Sequence, residues 1–297
     1  MKRAAALTVT CAVVLWTVFS SPETAAVNAL EDSQTPRRIV SLVPAVTEML
    51  FAIGAGDAVV GISSFDRYPP EALERTRVGA LVDPDVERML SLKPDLVIVY
   101  GTQGDLIARL ERAGVPMFNY EHAGLPDITT TLRALGARVG YAGAADRLAT
   151  EIERDIAAIR SRVAGRQRPS TAVIIGREPG GLRGIYASAG IGFLHDMLEA
   201  AGGDDVFADV ARQNLQVSVE ILLARAPQVI IEVHPPEGWT PERLTRERNL
   251  WQALPGLPAV RNDRVYLIAD DAVLVPGPRV VEGIRRMAEV IHPEAWK

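Results

Sequence analysis

From Arg38 onward the apolar positions switch between two periods. "RIVSLV" (38–43) is a short apolar run, "PAVTEMLFAIG" has helical spacing and ends on Gly54, and "AVVGIS" is apolar again. In "VERMLSLKPDLVIVY" (86–100) a helix-spaced run meets a proline and gives way to a strand pattern, and "GDLIARLERAG" with "VPMFNY" repeats the pair. Strands alternating with helical stretches of this length predict βαβ units and a largely parallel sheet. Between about Tyr141 and Gly165, Leu148, Ile152, Ile156, Ile159 and Val163 recur at steps of three and four, which predicts one long amphipathic helix. After the basic link "RQRP" the alternation restarts with "STAVIIG".

The second half echoes the first. "VEILLARAPQVIIEV" (219–233) restates the 86–100 stretch, with Glu220 standing 133 residues after Glu87, and "HDMLEAAGGDDVFA" (195–208) restates "TEMLFAIGAGDAVV" (47–60). The fold expected is α/β: two Rossmann-like lobes with mostly parallel sheets, joined by a single long interlobe helix. The divisions expected are a linker at 27–37, an N-terminal lobe at 38–140, the helix at 141–165 and a C-terminal lobe at 166–297.

Residues 1–26 follow another rule. Lys2 and Arg3 precede sixteen uncharged residues ending at Phe19, and small residues follow, with Thr24-Ala25-Ala26 a plausible cleavage point. That order is expected of a secretory signal peptide, and it places the protein outside the cytoplasm, in the periplasm, or tethered to the membrane if the segment stays attached. Cys11, the one cysteine, lies inside the apolar run, so no disulfide or thiolate chemistry is expected of the remainder. A net charge of −5 without basic blocks argues against nucleic acid as a partner. Neither a G-x-G-x-x-G turn, a Walker A lysine nor a G-x-S-x-G elbow occurs, and no enzymatic activity is expected.

Asp85 and Ser218 are good helix N-caps, so Glu87 and Glu220 fall in first helical turns. In a right-handed βαβ unit that turn lies at the sheet edge where the strands end, which is also where ligands bind. A first-turn carboxylate gains about 0.3–1 kcal/mol from the helix dipole, which by itself explains its presence. The matched pair on two lobes is better explained by a partner of approximate two-fold symmetry carrying basic patches.

"RIVSLVPAVTEMLFAIGAGDAVVGISSFDRYPPEA" followed by "VERMLSLKPDLVIVY" resembles the helical-backbone class of periplasmic substrate-binding proteins, which serve ABC importers for cobalamin, ferric siderophores and haem. The resemblance runs from about Arg38 to Ile291. It implies that Glu87 and Glu220 dock onto arginines of the permease dimer and that the long helix is a stiff hinge. "SSFDRYPPEA" is most similar to the cobalamin type, and Tyr100 stands where cobalamin binders carry an aromatic residue; the tyrosine that some haem carriers place soon after this segment is replaced by Ala80. A monomer without a cofactor of its own, holding a metal chelate as cargo, is implied.

Residues just after strands should line the cleft: Ser63, Ser64, Phe65, Asp66, Tyr100, Gly101, Thr102, Tyr120, Glu121 and His122 from the N-lobe. From the C-lobe come Arg177, Glu178, Tyr186, Glu232, His234, Asp270 and Asp271, with "PGPR" to Arg279 as a further wall. Aromatic faces with a few placed polar groups suit a large planar or macrocyclic ligand. Tyr100 could equally keep its ring in the core. A haem iron would need Tyr100, Tyr120, His122 or His234, and an anionic siderophore would need Arg177, Arg183 and Arg279. Direct zinc or manganese binding would use His122, His234 and Asp271 or Asp270, a set without metal-type spacing.

Overall fold

The computed structural model describes residues 35–297; the expected leader, Cys11 and most of the linker lie outside them. The first sheet is parallel throughout. Its strands are β1 (Ile39–Ser41), β2 (Val59–Ile62), β3 (Thr76–Arg77), β4 (Leu96–Tyr100) and β5 (Met117–Tyr120), in the order β3-β2-β1-β4-β5. Four helices connect or follow them: α1 (Pro44–Ala52), α2 (Val86–Ser91), α3 (Gly104–Arg112) and α4 (Pro126–Arg138). The long helix α5 (Ala142–Val163) then leads to the second sheet.

That sheet contains β6 (Ser170–Gly176), β7 (Ile185–Ser188), β8 (Asp204–Asp205), β9 (Asn214–Val217), β10 (Val229–His234) and β11 (Val265–Ala269). Its order is β11-β10-β6-β7-β9, with β8 pairing β6. The helices are α6 (Phe193–Ala200), α7 (Val219–Arg225), α8 (Pro241–Asn249), α9 (Pro258–Arg261) and α10 (Val280–Ile291). Here the structure departs from an all-parallel reading, because β7 runs antiparallel to both β6 and β9. The reason is chain length: only residues 177–184 separate β6 from β7, and a parallel crossover needs a dozen or more.

The strand period of two sorts side chains between cores. Leu96 and Ile98 of β4 pack in a large cluster with α1, α4 and α5, whereas Val97 and Val99 join Val86, Met89, Leu106 and Leu110 on the other face. In β10, Ile231 and Val233 face the large cluster, while Ile230 meets Trp251 and Leu257 on the opposite face. The large cluster is continuous across α5: Ala145, Ala149, Ile152, Ile156, Ile159 and Val163 form a buried stripe that packs with residues of both sheets. Leu148, expected in that stripe, is only partly buried beside it. The long helix is therefore part of the cores it connects.

The repeated segments become equivalent helices. Met49 and Leu50 of α1 and Met197 and Leu198 of α6 are all fully buried, and both helices run out into a glycine with positive φ, Gly54 or Gly202. Close approach of α4 to α5 depends on Gly136, where an added Cβ would lie 2.2 Å from the Ala145 Cβ. Neither group can rotate away, so overpacking here should cost about 1–3 kcal/mol. Gly136→Ala is expected to lower the urea midpoint without changing the slope, and Ala145→Gly in the same chain should recover part of the loss. A Gly136→Ala protein as stable as the parent would show that the two helices can separate freely.

Candidate functional site

The two sheets present their carboxyl-terminal edges, and the loops leaving them, to one another. Across this mouth run two contacts built by equivalent parts of the two lobes. Glu48, in α1, accepts two hydrogen bonds from Arg279, at 2.9 Å from Nε and 2.6 Å from Nη2, and Arg279 is the N-cap residue of α10. Asp196, at the matching place in α6, accepts the backbone N–H of Leu125 at 2.7 Å, and Leu125 is the N-cap residue of α4. Each lobe thus reaches from its first helix to the start of the other lobe's last one. The Arg279 guanidinium also lies 4.0 Å from the Tyr68 ring centroid, a cation–π contact. Arg67 adds an ion pair to Glu237 at 2.5 Å and a longer contact of 3.7 Å to Asp271.

An aromatic row runs along the same mouth. Tyr100 meets Tyr120 edge-on at 5.5 Å, Tyr120 stacks on His122 at 6.1 Å, and His122 meets Phe193 of the other lobe edge-on at 5.5 Å. β4 and β5 create the first contact, since Tyr100 and Tyr120 are register partners. The Tyr120 hydroxyl and both His122 ring nitrogens are buried without hydrogen-bond partners. Burial raises the Tyr120 and Tyr100 hydroxyls above the usual tyrosine range and lowers His122, which keeps that imidazole neutral at pH 7.

Asp66 is the most constrained of the expected residues. It is 1% exposed, and neither carboxylate oxygen has a partner. Its neighbour Thr47 donates its own hydroxyl to Ser41 Oγ at 2.9 Å. The loop is held from behind by Arg77, which donates to the Ser64 carbonyl at 2.9 Å. Burial pushes the Asp66 carboxyl up to about 7, against the opposing effects of Thr47, the Ser63 backbone and Arg77. Glu48 and Asp271 are likewise raised, first by burial and then by neighbouring carboxylates, with Arg279 and Arg67 respectively pulling them back.

Other expected positions land differently. Ser63 is fully buried and its hydroxyl oxygen accepts the Phe65 N–H, while Ser64 and Phe65 are exposed. Gly101 lies against Glu121, and Tyr186 is exposed in the middle of β7. Arg177 requires a correction. Its side chain is 2% exposed and is held inside the second lobe by Glu232 at 2.9 Å, Glu247 at 3.1 Å and the Gly181 carbonyl at 2.8 Å. Glu232 also takes the Trp251 indole N–H at 2.9 Å and pairs with His234 Nε2 at 2.8 Å. Burial would raise Glu232, but these partners outweigh it and hold the carboxyl below its usual range. Arg177 and Glu232 serve the interior of the lobe. His234 instead stacks on Trp239 at 3.6 Å, with Arg243 4.2 Å from the Trp239 ring centroid.

Among the described residues no three His, Cys, Asp or Glu side chains converge as a metal site, so His122, His234 and Asp271 do not form one set. Glu87 and Glu220 are exposed in first turns; Asp85 caps α2 through the Arg88 N–H at 2.9 Å, and Ser218 caps α7 through the Ile221 N–H at 3.4 Å. Glu48, Tyr68 and Asp196 were absent from the expected lining. A usable signal existed, because "TEML" and "HDML" carry an acid at the same place in the repeat. Beside the Glu48–Arg279 pair, a cavity of about 620 Å³ opens between α1, α5 and α10, walled by Phe51, Tyr68, Leu148 and Ile152.

The Asp66 carboxyl makes a signed prediction. Its pKa rises on folding, so stability is full below the unfolded value of about 3.8, falls as pH climbs toward 7, and levels off above that. Three pKa units correspond to roughly 4 kcal/mol as an upper bound. Asp66→Asn should therefore raise Tm at pH 8, leave it unchanged at pH 4, and flatten the decline between. An equal effect at both pH values would mean that the carboxyl is solvated.

Comparison with known proteins agrees with this geometry. A model of the periplasmic binding protein family matches residues 39–272. An uncharacterized ABC transporter substrate-binding lipoprotein of Bacillus subtilis is 28% identical over 270 residues, covering 88% of this chain and 82% of the relative. The crystal structure of the periplasmic vitamin B12 binding protein BtuF of Vibrio cholerae superimposes with a TM-score of 0.75 at 27% identity, covering 89% of this chain and 99% of that one. The periplasmic haem-binding protein RhuT from Roseiflexus sp. RS-1 gives 0.73 at 28% identity, covering 87% and 99%. With its two edge-facing sheets, its shared central helix and a family match that spans most of its length, the chain belongs to the periplasmic binding protein family.

Proposed function

We propose that this protein captures a corrinoid, cobalamin or a close relative, in the mouth between its lobes and hands it to the permease dimer of an ABC importer. The observation that carries the choice is the composition of the facing loops. Phe65 and Tyr68 from one lobe stand opposite the Trp239 loop of the other, since Arg67 and Tyr68 contact Glu237 and Arg279 across the mouth. Asp66 and Tyr120 add buried oxygens without partners, a carboxyl that accepts and a hydroxyl that donates or accepts. A corrinoid offers a broad apolar ring edged with amide N–H groups, which fits that demand. The likeness to a vitamin B12 binding protein supports the same reading.

Haem is the second reading, favoured by the likeness to RhuT and by the Tyr100, Tyr120 and His122 row. Burial of Tyr120 works against the tyrosinate that would hold a haem iron. A ferric siderophore would rely on Arg279, which Glu48 already occupies. We take the lobes to be 38–140 and 166–297 about the 141–165 helix, and the protein to act as an exported monomer, free in the periplasm or tethered. The relatives' names support that location, and no helix among the described residues is long and apolar enough to cross a membrane.

Titrating the purified protein with hydroxocobalamin, haemin and several ferric siderophores, read by tryptophan fluorescence, should show tight quenching by the corrinoid alone. Tight quenching by haemin only would reverse the ranking. Glu87 and Glu220 are assigned to permease docking, so replacing both with alanine should leave cargo affinity within about twofold while lowering uptake by about tenfold or more, the scale of one lost charged contact at an interface. Loss of cargo affinity with normal uptake would contradict the assignment.

A further inference from the structure

The glutamates are not alone on their helices. Counting the same 133 residues from Leu90 reaches Leu223, so both helices carry a leucine one turn after the glutamate, and both leucines are exposed, at 36% and 41%. In each helix the apolar need of the core is already met by another residue, Met89 in α2 and Leu222 in α7, both fully buried. Outward positions of a surface helix are ordinarily polar. Ile221 is a second outward apolar residue beside Glu220.

The first lobe has its own addition. Val82, 85% exposed, stands at the tip of the 80–83 turn just before α2. The turn is held by paired hydrogen bonds between Ala80 and Asp83, at 3.0 and 3.2 Å, and by Gln103 donating to the Leu81 carbonyl at 2.8 Å. Each lobe therefore offers one carboxylate with exposed apolar residues close to it in sequence, a collar of Leu90 and Val82 for Glu87 and of Ile221 and Leu223 for Glu220.

We infer that these two collars are the apolar half of the permease-docking surface, each seating against an apolar position beside a basic residue on one half of a two-fold permease dimer. The inference rests on the docking role assigned above to the two glutamates. The repeat argues for this occupant, because equivalent patches on duplicated lobes suit a partner whose two halves are alike. Charge argues against the other candidates. A second copy would set acid against acid, and an anionic lipid surface would repel both glutamates. Inside a desolvated contact the leucines would exclude water around the charged pair, as rim contacts do around a hot spot.

The test uses cargo-loaded protein and nanodiscs holding the organism's own vitamin B12-type ABC importer, with empty nanodiscs of the same lipids alongside. Leu90→Ser and Leu223→Ser should each weaken docking about fivefold and together about twentyfold, with hydroxocobalamin affinity and Tm unchanged, as expected for residues that seal a contact. Leu73→Ser, at an exposed leucine outside both helices, should change nothing. If the double leucine variant docks like the parent while Glu87→Ala and Glu220→Ala lose docking, the inference fails and the docking role stands. If the glutamate variants also dock normally, or the parent does not dock at all, that role fails and the inference with it. Leucine-dependent binding to empty nanodiscs, or a parent dimer in sedimentation that the double variant abolishes, would assign the collars to lipid or to self-association and overturn the inference.

Discussion

The Glu48–Arg279 pair, with its counterpart Asp196–Leu125, holds the two lobes in register, and the geometry of the mouth depends on it. Both acids sit on the first helix of a lobe and both reach the start of the other lobe's last helix, so the crossing is reciprocal. Glu48 is almost wholly buried and is bridged by a two-point guanidinium contact, the strong form of a charged hydrogen bond. A buried pair is weak evidence for net stability, yet losing one partner leaves a buried charge uncompensated, at about 3–5 kcal/mol. Separating the lobes here would expose or strand both charges at once.

The shared core limits movement further. Because the α5 stripe packs with residues of both sheets in one continuous cluster, bending the molecule at this helix would open close-packed contacts on both sides together. Gly136 against Ala145 tightens the arrangement, since α4 and α5 touch nearly backbone to backbone. The other links across the mouth, from the 63–69 loop, are the more exposed Arg67–Glu237 pair and the Tyr68 ring. Exposed ion pairs of that kind contribute little and give way readily.

Much of this was legible in the sequence, and the exceptions have physical reasons. The caps at Asp85 and Ser218, the stripe on α5 and the strands around 38–43, 96–100 and 229–233 follow from period and local hydrogen bonding, which a single chain displays. Arg177 shows where that ends. Its place just after β6 was read correctly, but its direction depends on Glu232 and Glu247, fifty-five and seventy residues away, whose buried oxygens claim the guanidinium. The antiparallel β7 turns on the length of the 177–184 connection, a feature that apolar period does not report. Glu48 and Asp196 were readable only as a repeated acid, because no local rule says that a helix side chain will cross to another lobe.

The acids divide by environment. Glu48, Asp66 and Asp271 are buried at the mouth and raised in pKa, so each favours a neighbour that supplies a proton donor or a cation. Arg279 and Arg67 meet two of those demands from within the chain, whereas neither Asp66 oxygen has a partner. Glu220 behaves in the opposite way: it is fully exposed, and the Ser218 hydroxyl holds it below its usual range, which keeps it charged near neutral pH. A carboxylate that must attract a basic partner through water needs that constancy, whereas one that selects a neutral donor needs to be dry. Each lobe carries both kinds, with Glu48 and Asp66 buried and Glu87 exposed in the first, and Asp271 buried and Glu220 exposed in the second.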